Sequence, residues 1–433
     1  MNATAQSAFD VAVSTTMPRR PLRVALLGFG TVGQSVARIL AERPELGERL
    51  QLTHVYNRGV SRKRVDWVSD QVDWTEDLDG IFASAPDVLV EVMGGVEPAF
   101  TVVKRAMAQG ASVVTANKML LAAHGPELLK LASERGVQLR FEAAVAGGVP
   151  LIHGVREGLA GDQLTGVAGI LNGTCNYILS RMSATDEDME PVLADAQRLG
   201  YAEADPSADV DGHDAAAKLV VLAGIAFKRF IRSDAIPKCS IRAISSADFR
   251  YARRLDATIR QISEVHANND GFYAFVGPAL VPNTSSFGRN EGANNVVSIY
   301  GRYGGESAFS GAGAGGPATA VAVVSDLLAL THRVPHGSEE WLPSDIGAPP
   351  SRPYYLRFVV KDRPGILAAI AGALANQRVN LDAVLQEPGY PKDALPFVIT
   401  VEACEEQALR SALEEIRKAD WHAEAPLALP MLL

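Results

Sequence analysis

Cysteine is scarce in this chain of 433 residues: three occur, Cys175, Cys239 and Cys404. They lie far apart and without metal-ligand spacing. An odd, scattered set argues against a disulfide framework and fits a reducing compartment, the cytoplasm. Long apolar runs are missing too, and none approaches the length of a membrane span. The first twenty residues lack the apolar stretch of a secretory signal. They read as a disordered lead-in, with Met17 a second candidate start. No block of Lys and Arg occurs either, Arg62 to Arg64 being too short to make one. With 41 basic residues against 50 acidic, the net charge is −9. Nucleic acid and anionic membrane are therefore poor partners. Hydrophobic residues at 47% and charged residues at 21% describe an ordinary globular protein. The length suits two or three domains.

What is present is most concentrated between Gly200 and Gly224, GYAEADPSADVDGHDAAAKLVVLAG. Five carboxylates (Glu203, Asp205, Asp209, Asp211, Asp214) lie in a polar stretch that runs into an apolar helix. Asp214 and Lys218 are four apart at the head of that helix, so they share a face and can pair. A lysine at the mouth of a buried helix is costly without a partner or a task. Acid–base work on a small cationic substrate suits it; an Asp–Lys pair at this spacing is also common surface decoration. A calcium loop fails, because the position that closes an EF-hand counted from Asp209 holds Val220.

Leu22 to Leu27 is a strand-like run ending in Gly28-Phe29-Gly30-Thr31-Val32-Gly33, and a helical pattern follows as far as Pro44. Strand, glycine turn and helix in this order make a dinucleotide site, with the helix N-terminus facing the pyrophosphate. The second strand, QLTHVYN, ends at Asn57-Arg58 with no acidic residue for a ribose 2′-hydroxyl. Arg58, Arg62, Lys63 and Arg64 instead suit a 2′-phosphate, which points to NADP with NAD still admitted. Strands VLVEVM, SVVTAN and VQLRFEAAV alternate with helices ending at Gly110 and Gly136. The pattern is a doubly wound parallel sheet, α/β in class. Lys118, directly after VVTAN, falls on its ligand-binding side.

Beyond Gly154 the pattern turns α+β, with a long strand YAFVGPALV and ATIRQISEV read as a helix. The turn Gly311 to Pro317 opens another helix, ATAVAVVSDLLAL. Glu339 to Pro353 is a Pro-rich linker. The remainder orders as βαββα with one more strand expected, a ferredoxin-like unit.

GFGTVG, VVTANK, EAAVAGGVPLI, GILNGTCNYIL, the acidic stretch, GAGAGGPATA and VVKDRPGILAAIA follow one another from Leu22 to about Trp421. In that order they resemble the monofunctional homoserine dehydrogenases with a C-terminal ACT domain. After the lead-in over 1–20, the resemblance implies an NAD(P)-binding Rossmann domain over 21–150 and a catalytic and dimerisation domain over 151–335. The final helix of that second domain returns to the first. A linker over 336–353 and an ACT domain over 354–433 follow.

The implied reaction is reversible oxidation of L-homoserine to L-aspartate 4-semialdehyde, on the route to threonine, methionine and isoleucine. Carried over by position, Lys218 is the acid/base, Asp214 its partner and Lys118 a second active-site lysine. Glu203, Asp214 and Lys218 would meet the substrate. Gly28, Phe29, Gly30, Thr31, Val32, Gly33, Arg58, Lys118 and Gly315 would meet the nucleotide. The Glu142 carboxylate with the carbonyls of Val145, Gly147 and Val149 would hold Na⁺ or K⁺, an oxygen-only set suited to such ions. The Asp362-Arg363-Pro364-Gly365 turn resembles an amino-acid effector loop, with L-threonine the implied effector. Side-by-side pairing of ACT units implies a homodimer or a dimer of dimers. Cys175 stands where the family more often has threonine, beside a pocket it could line. Two further readings stay open from residues alone: another NADP oxidoreductase of amino-acid metabolism, and a non-catalytic amino-acid sensor.

Overall fold

The apolar run Leu22–Leu27 forms β1, and α1 (Thr31–Glu42) follows the glycine turn. α1 stops at Glu42 because Arg43 precedes Pro44, which disfavours helical backbone. The computed structural model describes residues 20–268, 271–332 and 339–432. The expected lead-in lies outside them up to residue 19, while Arg20 already pairs with Asp87. Next come β2 (Leu50–Tyr56), β3 (Asp73–Thr75), α2 (Leu78–Ala83), β4 (Val88–Glu91) and α3 (Ala99–Ala108). β5 (Ser112–Thr115), α4 (Lys118–Arg135) and β6 (Leu139–Arg140) complete the unit. The sheet order is β3-β2-β1-β4-β5-β6, and every pairing is parallel. The order reverses between β1 and β4, where such sheets open a crevice for ligands. β3 and α2 escaped the sequence reading, since DWT is only three residues long and LDGIFA only six. The run VQLRFEAAV makes only two residues of strand before turning at Glu142–Ala144.

The chain then crosses into a second unit. Its helices are α5 (Leu151–His153), α6 (Gly173–Thr185), α7 (Met189–Arg198), α8 (Ser207–Val210), α9 (His213–Phe227) and α10 (Ser246–Arg254). Its strands are β7 (Leu164–Ile170), β8 (Arg229–Phe230), β9 (Ala257–Asn268), β10 (Gly271–Pro282), β11 (Asn294–Gly301) and β12 (Gly305–Ala312). Five of them form an antiparallel sheet in the order β10-β9-β7-β11-β12. ATIRQISEV, read above as a helix, is the body of β9. Ile259, Ile262 and Val265 lie three apart and mimic a helical stripe. In fact β9 is buried on both faces, so Arg260, Gln261, Ser263 and Glu264 are inside as well. Its β-branched residues favour the pleated form. α11 (Gly316–Leu330) returns to pack on α1.

The segment after residue 338 is more than a linker. Trp341 is fully buried against Gly125 of α4 and Gly224 of α9. β13 (Leu342–Pro343) pairs with β8. The last unit contains β14 (Arg352–Val360), α12 (Ile366–Asn376), β15 (Leu381–Gln386), β16 (Leu395–Cys404), α13 (Glu406–Ile416) and β17 (Leu427–Pro430). Its antiparallel order β15-β16-β14-β17 is the ferredoxin-like one, and the expected last strand is present. This unit is anchored by buried ion pairs. Arg352 meets Glu264 of β9 at 2.6 Å, and Arg357 meets Asp248 of α10. Removing one partner of such a pair leaves an uncompensated buried charge.

Candidate active site

α9 begins just after the positive-φ turn at Gly212, and its first turns carry Asp214 and Lys218 on one face. Lys218 Nζ donates to Asp214 Oδ2 at 2.8 Å and to the Leu171 carbonyl at 2.8 Å. Lys118, the first residue of α4, brings its Nζ to 3.3 Å from Asp214 Oδ1. One carboxylate thus bridges two lysines from different units of the fold. Asp214 and Lys218 are each 13% exposed at the side chain, Lys118 36%.

A third segment closes the cluster. Asn172 caps α6, its Oδ1 accepting the Cys175 N–H at 2.8 Å. Its Nδ2 donates to Asp209 Oδ1 at 2.6 Å and to Asp214 Oδ2 at 2.9 Å. Burial alone would raise Asp214. The charges of Lys218 and Lys118, with hydrogen bonds from Lys218 and Asn172, outweigh it and hold the carboxyl at about 2. Asp209 goes the other way: burial pushes it up, the Asn172 hydrogen bond opposes this, and the Asp214 charge adds to it.

Because folding lowers Asp214 from its ordinary 3.8, the stability it contributes is present above about pH 4. That contribution is lost as the pH falls towards 2. Urea unfolding at pH 6 and pH 3 is therefore expected to show a smaller acid loss in Asp214→Asn than in wild type, by about 1 kcal/mol. Equal acid losses in the two proteins would contradict this.

The nucleotide turn lies at the C-terminal end of β1. Gly28 has φ +104, and a β-carbon on Gly33 would fall 2.0 Å from the Gly28 carbonyl, so helix and strand meet only with glycine there. Gly30 precedes α1, whose first turn is Thr31, Val32 and Gly33 and carries no side-chain cap. The Phe29 ring is buried, edge-on to Trp74 at 4.7 Å, so Phe29 offers the site its main chain. Its N–H donates to Asn57 Oδ1 at 3.1 Å. Arg58, Arg62, Lys63 and Arg64 are exposed beyond β2. Gly315 has φ +107 and starts α11, whose Gly316 lies against Thr31 and Ser35. Both glycine turns meet at one mouth.

The chain matches three family models. The NAD binding domain of homoserine dehydrogenase covers residues 28–142, homoserine dehydrogenase itself 150–328, and the ACT domain 354–420. It is 34% identical to a homoserine dehydrogenase of Neisseria gonorrhoeae over 95% of this chain and 98% of that protein. The chain belongs to the homoserine dehydrogenase family. Among solved structures, the homoserine dehydrogenase of Thiobacillus denitrificans superimposes with TM-score 0.88 at 34% identity, covering 95% of this chain and 98% of that one. A hyperthermophilic archaeal homoserine dehydrogenase mutant in complex with NADPH gives TM-score 0.64 at 26% identity, covering 73% of this chain and 99% of the other. The activity is thus that of a homoserine dehydrogenase, an oxidoreductase with a nicotinamide-binding domain. Among the described residues no helix is long and apolar enough to cross a membrane.

Against the family's expected site, the structure brings Asp214, Lys218 and Lys118 together. It leaves Glu203 exposed on the loop before α8, outside their hydrogen-bond network. The five acidic residues diverge. Asp205 accepts the Ser207 N–H, and Asp211 accepts from Ser240 and Arg242. Only Asp209 and Asp214 converge.

The Glu142 carboxylate accepts the N–H groups of Ile152 and His153, at 2.8 Å each, and so orders the start of α5. Burial, partly offset by those bonds, raises it. Ala146 and Gly147 both have φ +56, which re-aims successive carbonyls within a buried segment. Cys175 is fully buried rather than lining a pocket, and burial pushes its thiol well up. It donates to the Asp209 carbonyl at 3.2 Å and is a structural cysteine.

Sequence reasoning missed the roles of Asn172, Asp209 and the Leu171 carbonyl. It also missed Glu91, whose buried carboxylate accepts from Thr115 at 2.6 Å and from the Met93 N–H at 2.8 Å. An Asn at the junction of a strand and a helix was the available signal for Asn172.

Proposed function

We propose that this chain catalyses the reversible NADP-dependent oxidation of L-homoserine to L-aspartate 4-semialdehyde, with Lys218 transferring the proton. The observation that carries the reading is the Asp214 carboxylate held between Lys218 and Lys118. Two of the three ammonium protons of Lys218 are spoken for by Asp214 and Leu171, which leaves one for a substrate oxygen. In reduction Lys218 gives that proton to the forming alkoxide; in oxidation, as the neutral amine, it takes the hydroxyl proton. The nicotinamide, when bound, supplies or receives the hydride at the carbonyl carbon. Lys118 orients substrate and nicotinamide from the other side of Asp214. Glu203 meets the substrate ammonium.

The exposed Arg58 and its neighbours suit a 2′-phosphate, and the archaeal relative's complex with NADPH supports the same choice. A monovalent cation, Na⁺ or K⁺, would be held by the Glu142 carboxylate with the carbonyls of Val145, Gly147 and Val149, where the backbone turns with positive φ at Ala146 and Gly147. Glu142 then orders the crossover through its helix-capping bonds. The ACT unit serves feedback by L-threonine, and the chain works as a homodimer or a dimer of dimers. Domain limits near 150, 335 and 353 follow from the same reading.

The test is steady-state oxidation of L-homoserine by the purified chain, with NADP⁺ and NAD⁺ in parallel and with or without L-threonine. Turnover favouring NADP⁺ is expected, with Arg58→Ala lowering that preference roughly 10- to 100-fold through the lost charged hydrogen bonds. No turnover with either cofactor by a folded protein that binds NADPH would overturn the substrate assignment. It would favour another carbonyl substrate in the same cleft.

A further inference from the structure

The segment GILNGTCNYIL was distinctive in the sequence, yet the proposed chemistry uses none of its side chains. Its Asn172 is 3% exposed and joins three segments of the second unit. The carboxamide orientation is set by its surroundings. The Cys175 N–H is a donor, so the atom facing it is Oδ1, and Nδ2 must face the carboxylates of Asp209 and Asp214. Both protons of that amide are thereby used, one on each carboxylate. The residue before it, Leu171, gives its carbonyl to Lys218 Nζ and to Asn295 Nδ2 at 3.3 Å. Two consecutive residues thus hold the lysine and its counter-ion. The charged groups facing the amide are Asp209 on α8, Asp214 and Lys218 on α9, and Lys118 on α4.

We propose that Asn172 is a positioning residue: its amide keeps Asp209 and Asp214 apart as two separate acceptors and aims the Asp214 carboxylate at both lysines. Without a donor between them, the two carboxylates would compete for one proton or for one lysine. Either outcome pulls the Lys218 ammonium off the line on which it meets a substrate oxygen. This inference rests on the reading of Lys218 as the proton-transfer group.

Two substitutions separate positioning from capping, because both replacements are good helix caps. Asn172→Ser keeps the cap but is too short to reach both carboxylates. It is expected to lower kcat for homoserine oxidation about 10- to 100-fold, the range for slight misplacement of a reacting group. NADPH affinity is expected to hold. Asn172→Asp keeps shape and cap but sets a third carboxyl against two others, so the group must share a proton. Its kcat/KM profile is expected to gain an ionisation absent from wild type, with activity falling as that shared proton is lost.

Wild-type kcat and an unchanged pH profile in both variants would overturn the proposal. So would loss of NADPH binding together with turnover in Asn172→Asp, since that would assign Asn172 to the fold alone. Absence of homoserine turnover in the wild type would instead strike the reading beneath it, so the two failures are distinguishable.

Discussion

Lys218→Ala is expected to lower kcat for homoserine oxidation by roughly 10²- to 10⁴-fold, the usual contribution of a positioned acid or base. NADPH affinity should hold, because the nucleotide turns at Gly28–Gly33 and Gly315 belong to other elements. The fold should hold as well. Asp214, once Lys218 is gone, still has Lys118 at 3.3 Å and Asn172 at 2.9 Å, so no carboxylate is orphaned. Fluorescence titration with NADPH beside steady-state kinetics reads both quantities. Lys118→Ala provides the contrast: with Lys118 only orienting, it raises KM more than it lowers kcat. If the larger loss of kcat falls on Lys118, or Lys218→Ala keeps its turnover, the assignment of the proton to Lys218 is wrong.

Trp341→Ala is expected to cost about 3–5 kcal/mol of stability, the range for emptying a fully buried aromatic site. The ring sits between α4 and α9, so close to Gly125 and Gly224 that a β-carbon on either would lie within 2.6 Å and 2.3 Å of it. It also meets Phe141 edge-on at 5.8 Å, and its Nε1 donates to Glu339 at 3.2 Å. With glycine at both contacts, neither helix offers a side chain of its own at those positions to fill the hole. Urea unfolding followed by circular dichroism tests this, and a loss under about 1 kcal/mol would mean that the segment is a tether after all. Trp341→Phe should recover most of the loss.

Legibility in the sequence tracked the range of the interactions. The strand, glycine turn and helix from Leu22 to Glu42 were readable because each signal lies within a few residues of the next. Asp214 and Lys218 were readable for the same reason, one helical turn apart. The clamp at Asn172 was not, because its partners Asp209 and Asp214 lie 37 and 42 residues away. β9 deceived for a physical reason: in a strand buried on both faces, polar and apolar residues no longer alternate between water and core. Trp341 hid in a Pro-rich stretch whose composition described its backbone and not where its one large ring would go. The capping bonds of the Glu142 carboxylate depend on N–H groups ten and eleven residues on, which spacing alone does not reveal.

The bridge at Asp214 treats its two lysines unequally once motion is considered. Lys218 sits on the same helix as Asp214, so that contact travels with α9 wherever the helix goes. Lys118 belongs to α4, in the nucleotide-binding unit, and its contact with Asp214 joins two elements of the fold. The Lys218 contact thus depends on one helix alone, whereas the Lys118 contact depends on how α4 and α9 pack. Asp214 is therefore both the counter-ion of the lysine on its own helix and a charged tie between α9 and the nucleotide-binding unit.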